Sequence, residues 1–369
     1  MHPLHISNLM ALQATFFKRT FHFSFSARTS RGAMKQRDSW FLKIWDSGQP
    51  EVFGIGEAGP VPGLSAEKPV DVNEQLTQLV AHLSNGFDLS AIATIGDIHK
   101  RFESMGLCPS VYLALEAALL DLRNGGKRLV FDNEFVRGKS IPINGLVWMG
   151  GLDFMLQQVS IKVEEGFTCI KLKIGGLNFE KELDILQFVR RKYFRDQITL
   201  RLDANGAFKS DQVMLKLMDL AQYGIHSIEQ PLKAGSPFLP ELCQKSPIPV
   251  ALDEELIGVG TRQDREELLD RVKPQFLVLK PSLHGGFHGC ADWIDLATTR
   301  NIGWWITSAM ESNVGLNALA QFVCQYPISI PQGLGTGMIF RDNIPSPLEV
   351  TKGTLRWNNQ ENWDLEEED

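Results

Sequence analysis

Apolar and polar residues alternate with a period of two in three runs near the start of the chain, residues 21–26, 40–45 and 52–57, with Gly, Pro and Asp between them. Side chains of a strand point alternately to its two faces, so this rhythm predicts an antiparallel three-stranded meander from Leu9 to about Ala58. The period then lengthens. Apolar positions at helical spacing predict helices over 67–83, 92–102 and 110–124, the last with Ser110 as N-cap and Gly125 as its stop. Together these elements form an α+β domain, residues 1–138.

From Ile141 onward short apolar runs alternate with amphipathic helical stretches. The runs lie at 141–146, 169–174, 198–203, 226–231, 249–253, 276–281, 304–308 and near Ile328. Strands separated by helices pair in parallel, and eight of them close into a barrel. The expected fold class is therefore α/β, with a TIM-type barrel over 139–344. The last segment, 345–369, has no room for another unit and is expected to pack back on the first domain. An open doubly wound sheet is the competing architecture, but no GxGxxG follows an early strand to give it a dinucleotide site.

Charged residues end several of these runs: Lys171 and Lys173, Asp203, Glu229, Asp253 and Lys280. From Asp203 onward the steps are 26, 24 and 27 residues, the length of one strand, one crossover helix and two loops. Parallel strands then bring these positions side by side at the mouth of the barrel. Three carboxylates supply hard oxygen ligands, which favour Mg²⁺ or Mn²⁺ over zinc and suit a small-molecule carboxylate substrate. Lys171 and Lys173 share a face, where mutual repulsion and burial are expected to lower their pKa so that one acts as a base. Lys280, ahead of Pro281, is expected to face them from the other side of the metal. That arrangement suits removal of a proton α to a carboxylate, with a Schiff-base lysine as the competing use.

Composition narrows the function classes. The net charge of -7 and the absence of any Lys/Arg-rich run argue against nucleic-acid binding. Five scattered cysteines without a CxxC pair read as reduced thiols, which points to the cytoplasm. No apolar stretch is long enough to span a membrane, and the N-terminus has no signal-peptide pattern. The acidic run at 366–369 reads as a solvated tail.

Thr168-Cys-Ile-Lys-Leu-Lys-Ile-Gly175, Leu202-Asp-Ala-Asn-Gly-Ala-Phe208, Ile228-Glu-Gln-Pro231, Ala251-Leu-Asp-Glu254 and Leu279-Lys-Pro281 together resemble the muconate-lactonizing subgroup of the enolase superfamily. The tracts at 121–126, 141–150, 280–286 and 303–313 resemble, within that subgroup, its dehydrating synthases. The resemblance implies a modified (β/α)₇β barrel under an N-terminal α+β capping domain. It implies Mg²⁺ on Asp203, Glu229 and Asp253, Lys173 as base, Lys280 opposite it, and Lys171 assisting through the local field. The implied reaction is syn dehydration of 2-succinyl-6-hydroxy-2,4-cyclohexadiene-1-carboxylate to o-succinylbenzoate through an enediolate that Lys280 stabilises. A racemase or epimerase of acylated amino acids or dipeptides would use the same groups, and a barrel that binds metal without catalysis is the remaining alternative. The substrate is expected to meet the loops at 30–35 and 59–64 and the segment 308–313, with Ser308, Glu311 and Ser312. Arg201 and Asn205, on the Asp203 face, are further candidates. The glycine-rich 333–337 could approach it closely, whereas His284 and His288 read as structural or solvated.

Overall fold

The computed structural model describes residues 12–29, 32–85 and 87–365. Positions 9–11 of the expected first strand, Ser30 and Arg31 of the hairpin loop, and the acidic run 366–369 lie outside them. The meander forms as expected: β1 (Leu12–Thr29), β2 (Gly32–Asp46) and β3 (Gln49–Ala58) pair antiparallel in that order. Three helices follow, α1 (Pro69–Ser84), α2 (Ile95–Phe102) and α3 (Pro109–Arg123). The second starts later than the periodicity predicts because Thr94 and Asp97 close a capping box, Asp97 N–H donating to Thr94 Oγ1 at 3.2 Å and Thr94 N–H to Asp97 Oδ2 at 2.8 Å. The third starts before Ser110. Pro109 occupies its first turn, where no N–H is needed, and the Ser110 N–H goes to Glu67 Oε1 at 3.2 Å.

Helix α3 is buried from Ser110 to Leu122. One side packs on β3, where an added β-carbon at Gly54 would lie 1.9 Å from the Ala118 carbonyl and one at Gly56 2.0 Å from that of Ala114. Its other neighbour is a barrel helix, so α3 joins the two halves of the molecule.

The barrel strands are β5 (Gly145–Val147), β6 (Cys169–Lys173), β7 (Thr199–Asp203), β8 (Ile225–Glu229), β9 (Val250–Leu252), β10 (Phe276–Leu279) and β11 (Gly303–Ile306), all parallel and hydrogen-bonded in chain order. Between them run α4 (Leu152–Glu164), α5 (Phe179–Lys192), α6 (Val213–Ala221), α7 (Leu239–Lys245), α8 (Arg262–Val272) and α9 (Gly286–Thr299), and α10 (Asn313–Val323) follows β11. Two expectations need correction. The run at 141–146 divides, because β4 (Ile141–Pro142) pairs antiparallel with a C-terminal hairpin while the barrel strand begins at Gly145. The run near Ile328 forms no strand. Pro327 and Pro331 lack N–H groups, and closure falls to Gln332 and Gly333, which bridge Ile143 and Thr307. Gln332 N–H donates to Pro142 O and Gly333 N–H to Ile306 O, both at 2.8 Å.

The C-terminal hairpin consists of β12 (Leu348–Thr351) and β13 (Thr354–Trp357), and β13 pairs with β4 at the start of the barrel. Beyond it Trp363 and Leu365 pack against the apolar cluster in which Phe21, Phe41 and Ile55 of the first domain meet Trp148, Val314 and Ile344. Among the described residues no helix is long and apolar enough to cross a membrane.

Gly56→Ala forces a methyl group into the α3 backbone. It is expected to cost about 1–3 kcal/mol, read as a lower denaturant midpoint; an unchanged midpoint would show that the sheet–helix contact has room.

Candidate active site

Parallel register sets Lys173, Asp203 and Glu229 in one row at the ends of β6, β7 and β8. Asp253 follows β9 and Lys280 follows β10. Three lysines contact the three carboxylates. Lys171 Nζ lies 3.0 Å from Asp203 Oδ2 and also binds Glu229 Oε2. Lys173 Nζ donates to Asp203 Oδ2 at 3.0 Å, and Lys280 Nζ binds Asp253 Oδ1 from the other side.

The three acids are at most 1% exposed, and one oxygen from each lies within 4.8 Å of the others. Glu229 Oε1 is buried without a hydrogen-bond partner. An orphaned acceptor among three converging carboxylates is a donor set that fits a hard divalent cation.

Burial penalises every charge here, and neighbours decide the outcome. Burial raises the Asp203 carboxyl, but Lys171 and Lys173 outweigh it and hold the group below its usual range. Glu229 is pushed up to about 7 by burial, with Lys171 opposing and Asp203 and Asp253 adding. Burial would lower Lys171, yet Asp203, Glu229 and Asp253 carry it above its ordinary value. Lys280 likewise rises, because Asp253 and Glu254 overcome burial. The expected depression of Lys171 by its like-charged neighbour is therefore reversed: it meets carboxylates at hydrogen-bond distance.

Asn205 joins the row from a left-handed backbone (φ 43°). Its Oδ1 accepts from Lys173 Nζ at 2.9 Å and its Nδ2 donates to Glu254 Oε1 at 3.0 Å. Gln230, also left-handed (φ 37°) and fully buried, accepts at Oε1 from the N–H groups of Asp253 and Glu255, each at 3.2 Å. These side chains orient the charged groups. Sequence reasoning assigned no role to Gln230 or Glu254, although both stand inside the tracts that carried the resemblance.

Above the row is a cavity of about 270 Å³. Its floor carries Lys171, Lys173, Asp203, Asn205, Asp253 and Lys280, and its roof comes from the cap through Met34, Val61, Pro62 and Leu64. Ser308 reaches it, but its hydroxyl already donates to Glu311 Oε2 at 2.6 Å. Three other candidates do not line it. Arg201 is buried lower in the barrel, 4.1 Å from the Trp305 ring centre, with Nη1 donating to Pro331 O at 2.8 Å. Glu311 is held by Ser282, Ser308 and the Ala309 N–H. At Ser312, expected to meet substrate, the N–H and hydroxyl both donate to Glu57 of the cap, so these donors are taken by a protein carboxylate. Gly333 and Gly335 line the cavity. His284 is buried, accepting the Lys280 N–H at 3.0 Å, and His288 stacks on His99.

A capped parallel barrel with an acid triad between lysines defines a class, and comparison with known proteins agrees. Residues 155–360 match the family described as Enolase C-terminal domain-like. An o-succinylbenzoate synthase from Desulfotalea psychrophila is 40% identical, the match covering 94% of this chain and 99% of that protein. The chain belongs to the enolase superfamily and, within it, to the family that contains the Desulfotalea synthase. The crystal structure of MenC from Desulfotalea psychrophila superposes with a TM-score of 0.84 at 37% identity, covering 94% of this chain and 99% of that one. A hydrophobic dipeptide epimerase from a Flavobacteria bacterium is more distant, 26% identical over 66% of this chain and 68% of its own.

Equilibrium dialysis against Mn²⁺ is expected to find one tightly bound ion per chain. Asp203→Asn, Glu229→Gln and Asp253→Asn should each weaken binding by more than about 100-fold; binding retained in all three would place the ion elsewhere.

Proposed function

We propose that this chain is an o-succinylbenzoate synthase of menaquinone biosynthesis, acting in the cytoplasm, with residues 1–138 as cap, 139–344 as barrel and 345–369 as closing segment. The observation that carries the proposal is the buried acid triad with Lys173 on one side and Lys280 on the other, beneath an apolar roof. The 40% identity to the Desulfotalea synthase over nearly all of both chains supports the choice of reaction.

Asp203, Glu229 and Asp253 would hold Mg²⁺, with Mn²⁺ as a substitute. When bound, that ion supplies positive charge to the substrate carboxylate as the adjacent carbon loses its proton. Lys173 takes that proton on Nζ, and Asn205 Oδ1 fixes that nitrogen on the cavity side. The electron pair of the broken C–H bond passes first into the adjacent carboxylate, and then returns to form the ring C=C bond as the C–O bond to the ring hydroxyl breaks. The protonated Lys173 then delivers its proton to the departing hydroxide, so that water leaves from the face the proton left. Lys280 balances negative charge from the opposite side, and Lys171 adds to the field. Aromatisation of the ring drives the step. The Thr336 hydroxyl, which lines the cavity, is buried without a partner, and we assign it, as donor, to the succinyl group in place of Ser312.

Purified protein with Mg²⁺ is expected to remove the diene absorbance of the cyclohexadiene carboxylate. Chelation should abolish turnover and added Mg²⁺ restore it. Lys173→Ala should lower kcat by about 10²- to 10⁴-fold. Full turnover in that variant would sink the mechanism, and deuterium exchange into an N-acylamino acid without dehydration would move the assignment to a racemase.

A further inference from the structure

One fully buried acid has no part in this chemistry. Glu116 lies in α3 of the cap, and its two carboxylate oxygens accept from consecutive backbone N–H groups of the barrel, Phe287 at 2.5 Å and His288 at 3.0 Å. These belong to the first turn of α9, whose N-terminal groups have no partner within the helix. Gly285, at the N-cap, provides no side chain. The cap of this barrel helix is thus delivered by the other domain.

The segment that Glu116 grips is the one that carries Lys280. The Lys280 carbonyl accepts from Leu283 N–H at 2.8 Å and His284 N–H at 3.0 Å, while the Lys280 N–H donates to His284 Nδ1. Pro281 O accepts from Gly286 N–H at 2.9 Å. From Lys280 to Gly286 the backbone is therefore a closed turn, and its far end meets Glu116. Gly286 is shaped for that contact: its φ is 72°, and a β-carbon there would lie 2.2 Å from Glu116 Oε2. A second cap residue holds the same turn, since the His99 ring stacks on that of His288 at 3.9 Å between centroids. Burial works against the ionised carboxyl and pushes it up, while the His288 and Phe287 N–H groups favour the charged form and pull it back down.

We infer that Glu116 is a positioning residue for Lys280, acting through the N-terminus of α9 to set the height of that ammonium against Asp253. The effect on turnover rests on the dehydration proposed above; the effect on Lys280 itself does not. Glu116→Gln keeps the size of the side chain but leaves one acceptor oxygen and sets an amide NH₂ against a backbone N–H.

In that variant the amides of 283–290 are expected to exchange with deuterium about tenfold faster, with the remaining barrel helices unchanged. Acylation of Lys280, followed by mass spectrometry, should change about tenfold relative to Lys171 and Lys173 in the same sample. On the synthase substrate, kcat should fall about 10- to 100-fold with KM within about twofold. Unchanged exchange and Lys280 reactivity would overturn the inference, as would faster exchange with kcat intact or protection lost evenly across the barrel. If the wild-type chain fails to dehydrate the substrate, the proposed reaction is at fault, and the exchange and acylation results still decide the role of Glu116. Should Glu116→Gln not fold, Gly286→Ala displaces the same carboxylate from the barrel side and is expected to show the same pattern.

Discussion

Charge balance at the mouth of the barrel is the constraint on which the rest of this molecule depends. Like charges 4 Å apart repel by about 4 kcal/mol at an effective dielectric of about 20, and here three carboxylates converge within 4.8 Å in a buried setting. They persist because cations surround them. Lys171 spans Asp203 and Glu229, Lys173 braces Asp203, and Lys280 closes on Asp253. The parallel register, the left-handed turns at Asn205 and Gln230, and the buried turn after Lys280 are all means of holding these groups opposite one another.

The cap is more than a cover. Its apolar residues roof the cavity, and it also sends charged groups down to the barrel. Arg37 donates to Ala309 O at 2.5 Å and Glu57 accepts from the start of α10 at Ser312 and Gly315. Glu116 does the same at α9. The starts of the last two barrel helices therefore have backbone groups satisfied by cap side chains, and the barrel does not satisfy that buried backbone alone.

Much of this was legible in the sequence because it is local or periodic. Alternation gave the meander, and near-equal spacing of Asp203, Glu229, Asp253 and Lys280 gave the row at the strand ends, since a parallel sheet converts equal steps into neighbours. What escaped was long-range. That Ser312 is filled by Glu57, or that Arg201 ends beneath the site against Trp305, depends on which elements meet, not on any local pattern. The raised proton affinity of Lys171 is hidden from the sequence for a related reason. Its sequence neighbour Lys173 was visible, whereas Asp203 and Glu229, which dominate, come from two other strands. The eighth strand was overread because an apolar run containing two prolines has too few N–H groups for a ladder.

The seam at Gln332 and Gly333 also has a chemical side. Gly333 lines the cavity, and a β-carbon there would lie 2.1 Å from Thr307 Oγ1. That stretch of the substrate chamber is consequently walled by peptide groups with fixed dipoles and no rotamers. Such a surface cannot be retuned by exchanging its own residues; adaptation to a differently shaped acyl group has to come from the side chains around it, among them Asn144, Leu146 and Trp148.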